Sequence, residues 1–294
     1  MNWYTLAATD EISSSISRVD YQSCSLLRII HPKVKGVISL FGGHVISCQP
    51  KGKDDLLWLS EQAIFDAKTA LRGGIPLCFP WFNKAGLPSH GFARISNWAL
   101  DSYEETPQGV TVTLVLSNNE QTQQIWPFAF DAKLTVIFSD SLSVSLSVTN
   151  SDDKPWRYSG ALHSYLKLGD IRQASVKGLG PLYLDSLDQR QEKRSLLPLI
   201  VNQEVDRVYT KAEPTITIND DSLNRQLSVH NGNNNSVVAW NPWQHGAQAM
   251  KDMADNGYEQ FVCIESTVFA DTIETGRLVE PGQTDTLSTI ISAR

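Results

Sequence analysis

No run of about 18 apolar residues occurs in this sequence, so a membrane-spanning helix is not expected. The opening residues lack a basic region followed by an apolar stretch, so neither export nor a membrane partner is expected. Cysteine is scarce: Cys24, Cys48, Cys78 and Cys263 stand far apart, with no Cys-x-x-Cys pair and no close metal-ligand cluster. That spacing argues against a disulfide scaffold and a structural zinc site, and it fits free thiols in a reducing cytoplasm. Basic blocks are missing too. With 25 Lys and Arg against 32 Asp and Glu, the net charge of −7 offers no extended cationic face, which excludes a nucleic-acid partner. A small anionic ligand stays compatible, because overall charge is screened beyond about 8 Å and a few local arginines dominate inside a pocket.

Sustained helical periodicity is also rare, and strand patterning takes its place. Residues 142–148, Leu-Ser-Val-Ser-Leu-Ser-Val, alternate strictly between apolar and small polar, as in a strand with one buried face. Segments 110–116 and 134–138 are β-rich runs close to it, and the three predict an antiparallel meander. Shorter runs at 25–30, 36–40, 216–218, 227–230, 237–240, 261–265 and 286–291 add strands separated by turn-forming residues. Segments 150–155 and 231–235 read as turns, not as interdomain linkers. A hydrophobic share of 41% against 19% charged residues supports a folded core, and 294 residues suit one large all-β unit. The expected architecture is a large antiparallel β-sandwich forming a single domain over residues 1–294.

Three segments embed polar groups among residues that favour burial. If 261–265 is a strand, Phe261, Cys263 and Glu265 share a face, and burial among apolar neighbours raises the pKa of the carboxyl. His163 shares a strand face with Ala161 and Tyr165, beside an aromatic ring. Together a His and a Glu can move protons. Singly, each also fits a plainer role, as a core histidine bonded to a backbone carbonyl or a strand-end glutamate in an ion pair. The segment from Leu71 to Arg94, dense in Gly, Pro and aromatics, carries Arg72, His90 and Arg94 between rigid turns. It reads equally as a ligand loop or as an aromatic-anchored loop with solvated arginines.

The strings Arg72-Gly-Gly-Ile-Pro76, Leu87-Pro-Ser-His-Gly-Phe-Ala-Arg94, Ala161-Leu-His-Ser-Tyr165, Asp206-Arg-Val-Tyr209, Val238-Ala-Trp-Asn-Pro-Trp243 and Val262-Cys-Ile-Glu265 occur in that order. Together they resemble the hexose-6-phosphate mutarotases, also called glucose-6-phosphate 1-epimerases, of the galactose mutarotase-like superfamily. The resemblance spans nearly the whole chain. It implies a curved β-sandwich that interconverts the α and β anomers of a hexose 6-phosphate without cofactor or metal. It further implies that His163 and Glu265 are the catalytic pair, that Arg72 and Arg94 bind the phosphate, and that His90 and Asp206 lie close to the sugar. Trp240 or Trp243 is expected to pack on the pyranose, the alternative for both being core packing. Ser89 stands where some relatives carry a longer amide side chain, and it is kept as a substrate contact. The expected partner is the small-molecule substrate alone, with the protein acting as a monomer. Two alternatives share the fold: a sugar-phosphate-binding protein without turnover, and an aldose 1-epimerase acting on unphosphorylated sugar. A zinc hydrolase is disfavoured, since no His-Glu-x-x-His or similar spacing occurs.

Overall fold

The alternation at 142–148 becomes the strand Ser141–Asn150, in which half-buried serines and threonine alternate with buried Leu142, Val144, Leu146, Val148 and Asn150. The structure, a computed structural model, describes residues 3–294. Ser141–Asn150 pairs antiparallel with Phe130–Phe138 on one side and Thr284–Ala293 on the other. Gly109–Ser117 and Ala99–Thr106 follow beyond Phe130–Phe138, so the expected meander is present and gains an edge strand. Arg225–Gly232, Thr215–Asp220 and Ala174–Lys177 complete this eight-stranded sheet on the far side of Thr284–Ala293.

A second eight-stranded sheet packs against the first. It runs through Gln191–Arg194, Leu182–Asp185, Val205–Tyr209, Ser236–Asn241, Phe261–Val268, Gly160–Leu162 and Leu77–Cys78, with Tyr165–Lys167 also paired to Phe261–Val268. Val237, Ala239, Val262 and Ile264 of this sheet share one apolar cluster with Leu142, Val144, Leu146 and Val148 of the other. Burying these branched side chains stabilises the sandwich by roughly 1.5–3 kcal/mol each, before the entropy of ordering the chain is subtracted. The period of two then sends Val238, Trp240, Cys263 and Glu265 to the opposite face.

A five-stranded meander from Ala8–Glu11 to His44–Pro50 docks beside the sandwich. The approach is close at Gly36, where a Cβ would fall 2.4 Å from the ring of Phe138. Every strand expected from the sequence is present. The turns expected at 150–155 and 231–235 begin slightly later, because Asn150 and Asn231 are still paired in their strands. Among the described residues, no helix is long and apolar enough to cross a membrane.

Candidate active site

Cross-strand register assembles the site on the outward face of the second sheet. Leu162 lies opposite Ser266 and Tyr165 opposite Cys263, three residues further along each strand, so His163 falls opposite Glu265. Glu265 in turn faces Val238, which faces Val208. The next rung reads Tyr165, Cys263, Trp240 and Asp206. Two adjacent rungs therefore place His163, Glu265, Trp240 and Asp206 side by side.

His163 departs from the expected continuous strand. The ladder breaks between Gly160–Leu162 and Tyr165–Lys167, where Ser164 N–H donates to Leu162 and His163 N–H donates to Pro76 across the short strand Leu77–Cys78. Both backbone donors stay satisfied, and the imidazole remains on the face with Tyr165, stacked on its ring at 4.9 Å.

The loop from Arg72 to Arg94 covers this face. Gly73 and Gly74 have φ of +108° and +61°, and a Cβ on Gly74 would meet the Val45 carbonyl at 2.3 Å. Only glycine allows that approach, which turns the chain sharply beyond Arg72. Buried His44 sits beneath, its Nε2 2.7 Å from the Gly73 carbonyl. Arg72 donates through Nη1 to the Tyr165 hydroxyl at 3.0 Å and pairs through Nε with Asp252 at 3.2 Å. Arg94 donates through Nη2 to the Ser89 carbonyl at 2.7 Å. His90, with φ of +64°, accepts the Asn83 N–H on Nδ1 at 3.2 Å while its own N–H donates to the Asn83 carbonyl. Nδ1 is thus an acceptor, so the proton of the neutral ring is on Nε2.

These groups line one cavity of about 460 Å³, the size of a small-ligand pocket. Arg72, Ser89, His90, Arg94, His163, Asp206, Trp240 and Glu265, all singled out in the sequence, border it. Trp243 does not; it packs on Tyr258 at 5.0 Å. Asn83 and Asp252 also line the cavity; Asn83 lies within the Leu71–Arg94 segment without having been singled out, and nothing in the local sequence marks Asp252.

His163 Nε2 is 3.3 Å from Glu265 Oε1, with the residues only 9% and 1% exposed. The other atoms of the pair, His163 Nδ1 and Glu265 Oε2, are buried without a hydrogen-bond partner among the described residues. Burial raises the Glu265 pKa well above its ordinary value, and Asp206 reinforces it. Burial lowers that of His163, with His90, Arg94 and Arg72 adding to the effect. Both shifts oppose charge on the pair, burial being the first cause of each. His90 is pushed down to about 3 by burial and the two arginines, and it stays neutral. Burial raises the Asp206 carboxyl as well. His163, Cys263 and Glu265 place potential metal-ligand atoms within 4.8 Å of one another, although Cys263 is buried and its thiol is held protonated by burial and by Glu265.

Two large antiparallel sheets packed face to face, with the cavity on the outward face of one, define a galactose mutarotase-like β-sandwich. The aldose 1-epimerase family matches residues 25–292, and the chain belongs to that family. It is 34% identical to the Escherichia coli K12 protein named "putative glucose-6-phosphate 1-epimerase", over 92% of each chain. The Salmonella typhimurium protein of the same name is 36% identical, covering 91% of this chain and 90% of its own. A crystal structure from Salmonella typhimurium described as a "putative mutarotase" superposes with a TM-score of 0.92 at 32% identity, covering 98% of this chain and 96% of its own.

Proposed function

We propose that this protein is a single-domain hexose-6-phosphate mutarotase, with glucose 6-phosphate as substrate and His163 and Glu265 as its acid–base pair. The observation that carries the reading is the buried His163–Glu265 pair, 3.3 Å apart in a cavity that Arg72 and Arg94 also line; burial opposes charge on both, so in this reading the resting pair is neutral and shares one transferable proton. Anomer exchange needs only protons to move. Transfer of the shared proton across 3.3 Å yields a carboxylate and an imidazolium. Glu265 then takes the proton of the C1 hydroxyl, the C1–O5 bond breaks to give the aldehyde, and His163 delivers its proton to O5. Rotation about C1–C2 presents the other carbonyl face. Closure returns the O5 proton to His163 and the Glu265 proton to O1, and passage of the imidazolium proton back to Glu265 restores the resting pair. Such acid–base steps contribute about 10²–10⁴-fold each.

Arg72 and Arg94 bind the phosphoryl group, for which the guanidinium fork suits bidentate contact, and so retain the open-chain aldehyde while it rotates. His90 offers its Nε2–H to a sugar oxygen and Asp206 accepts from a hydroxyl. Trp240 lies beside the ring, and the Ser89 hydroxyl, which now donates to the Asn83 carbonyl, borders the phosphate end. We place the activity in the cytoplasm, carried out by a monomer; four buried free cysteines suit a reducing compartment.

The test follows the anomeric proton signals of freshly dissolved α-glucose 6-phosphate with the wild type, His163→Ala and Glu265→Gln. Acceleration by the wild type alone is the expected result. Equal acceleration by all three proteins discards the pair, and no acceleration by the wild type leaves a sugar-phosphate binder.

A further inference from the structure

Each arginine of the cavity is one side chain removed from His163. Arg72 Nη1 holds the Tyr165 hydroxyl at 3.0 Å, and the Tyr165 ring stacks on the imidazole at 4.9 Å and 14°. Arg94 holds the carbonyl of Ser89, the residue preceding His90, whose ring meets that of His163 edge-on at 5.9 Å. The groups around His163 come from five elements. Glu265 and Cys263 lie on Phe261–Val268, Tyr165 begins the strand that follows His163, Trp240 meets its ring at 5.9 Å from Ser236–Asn241, Asp206 borders the cavity from Val205–Tyr209 with its charge disfavoured by burial, and Arg72, His90 and Arg94 belong to the covering loop. Of these, the arginines are permanent cations. Asp252 offsets part of the Arg72 charge, whereas no carboxylate pairs with Arg94 among the described residues.

The positive field of the empty cavity therefore opposes the imidazolium that ring opening requires. A phosphate dianion seated on the two guanidinium groups cancels most of that field at His163. An unphosphorylated sugar leaves it unchanged. We propose that the substrate's phosphoryl group activates the His163–Glu265 pair as well as anchoring the sugar, so that an inorganic dianion in the same place accelerates anomer exchange on a sugar that carries no phosphate. The inference rests on the reading of the cavity as a hexose-6-phosphate site. It assigns part of the preference for phosphorylated substrate to the proton-transfer step and not to binding alone.

The experiment uses α-D-glucose with inorganic phosphite, each rate being corrected for phosphite without protein. Phosphite is expected to raise the protein-dependent rate saturably by at least about tenfold, the equivalent of one pH unit in His163 basicity, and Arg94→Ala is expected to abolish the effect. Imidazole ¹⁵N spectra give a second readout. With phosphite the His163 titration moves to higher pH. Competitive inhibition of glucose 6-phosphate turnover by phosphite, with the glucose rate and the His163 titration unchanged, overturns the inference and leaves the proposed activity intact. Failure of the wild type to accelerate glucose 6-phosphate mutarotation overturns the activity itself, and the inference falls with it.

Discussion

Replacing Glu265 with Gln is expected to remove activity and increase stability at the same time. The carboxyl is 1% exposed, its Oε2 has no hydrogen-bond partner among the described residues, and burial holds its pKa well above the ordinary value. The sign follows from proton linkage. Below about pH 4 the carboxyl is protonated in both folded and unfolded chains, so it contributes no pH dependence. As pH rises, the unfolded chain releases this proton while the folded chain keeps it, and wild-type stability falls until the folded-state pKa is reached. Glutamine has nearly the same shape and never ionises, so the variant escapes that loss. At pH 7 the gain is expected to be about 1–2 kcal/mol, typical of relieving a functional site, or a rise of about 2–8 °C in Tm for a chain of this size. At pH 4 the difference shrinks towards zero. Differential scanning calorimetry at both pH values measures it, alongside a loss of about 10²–10⁴-fold in turnover. A lower Tm for the variant at pH 7 refutes the argument, since it would mean that the folded protein stabilises the Glu265 carboxylate as an ion pair with His163.

Other substitutions separate the parts of the site. Arg94→Ala is expected to lower kcat/KM for glucose 6-phosphate by about 10²-fold or more, the scale of a lost charge-assisted contact, while the rate on glucose does not fall and, with one cation fewer opposing the His163 imidazolium, rises; equal losses on both substrates remove Arg94 from the phosphate role. Asp252→Ala unties the Arg72 Nε and is expected to raise KM for glucose 6-phosphate by about three- to tenfold with a smaller effect on kcat, measured by steady-state kinetics. Gly74→Ala forces a Cβ to within 2.3 Å of the Val45 carbonyl at a φ of +61°, and urea denaturation is expected to show a loss of about 2–4 kcal/mol.

Strands with one solvated face were legible in the sequence because their alternation is a direct print of burial. Ser141–Asn150 is the clearest case. His44–Pro50 was hidden because nearly all of it is buried on both faces while its His, Ser, Cys and Gln break any apolar pattern. Ala99–Thr106 was hidden for the opposite reason: it is an edge strand, largely exposed, and its acidic residues satisfy no core. At the site, His163 and Glu265 could be singled out as polar groups in apolar surroundings, but their opposition is a matter of register between segments about 100 residues apart. The resemblance carried by the short motifs supplied what periodicity could not. Asp252 shows the limit of both, since it acts by pairing with Arg72, 180 positions away, and lies outside every recognisable string.

The shared rungs have a practical consequence. Val262 and Ile264 point into the core while Glu265, on the opposite face, borders the cavity and Cys263 packs beside it with Tyr165 and Trp58. A slip of one residue in Phe261–Val268 would bury the carboxyl in the apolar interior and turn isoleucine towards the cavity. With Glu265 in its proposed catalytic role, packing and turnover would fail together, and no misregistered chain could be silently well folded yet active. Catalytic rate in a refolding mixture thus counts correctly threaded molecules, which makes this protein its own gauge of strand alignment.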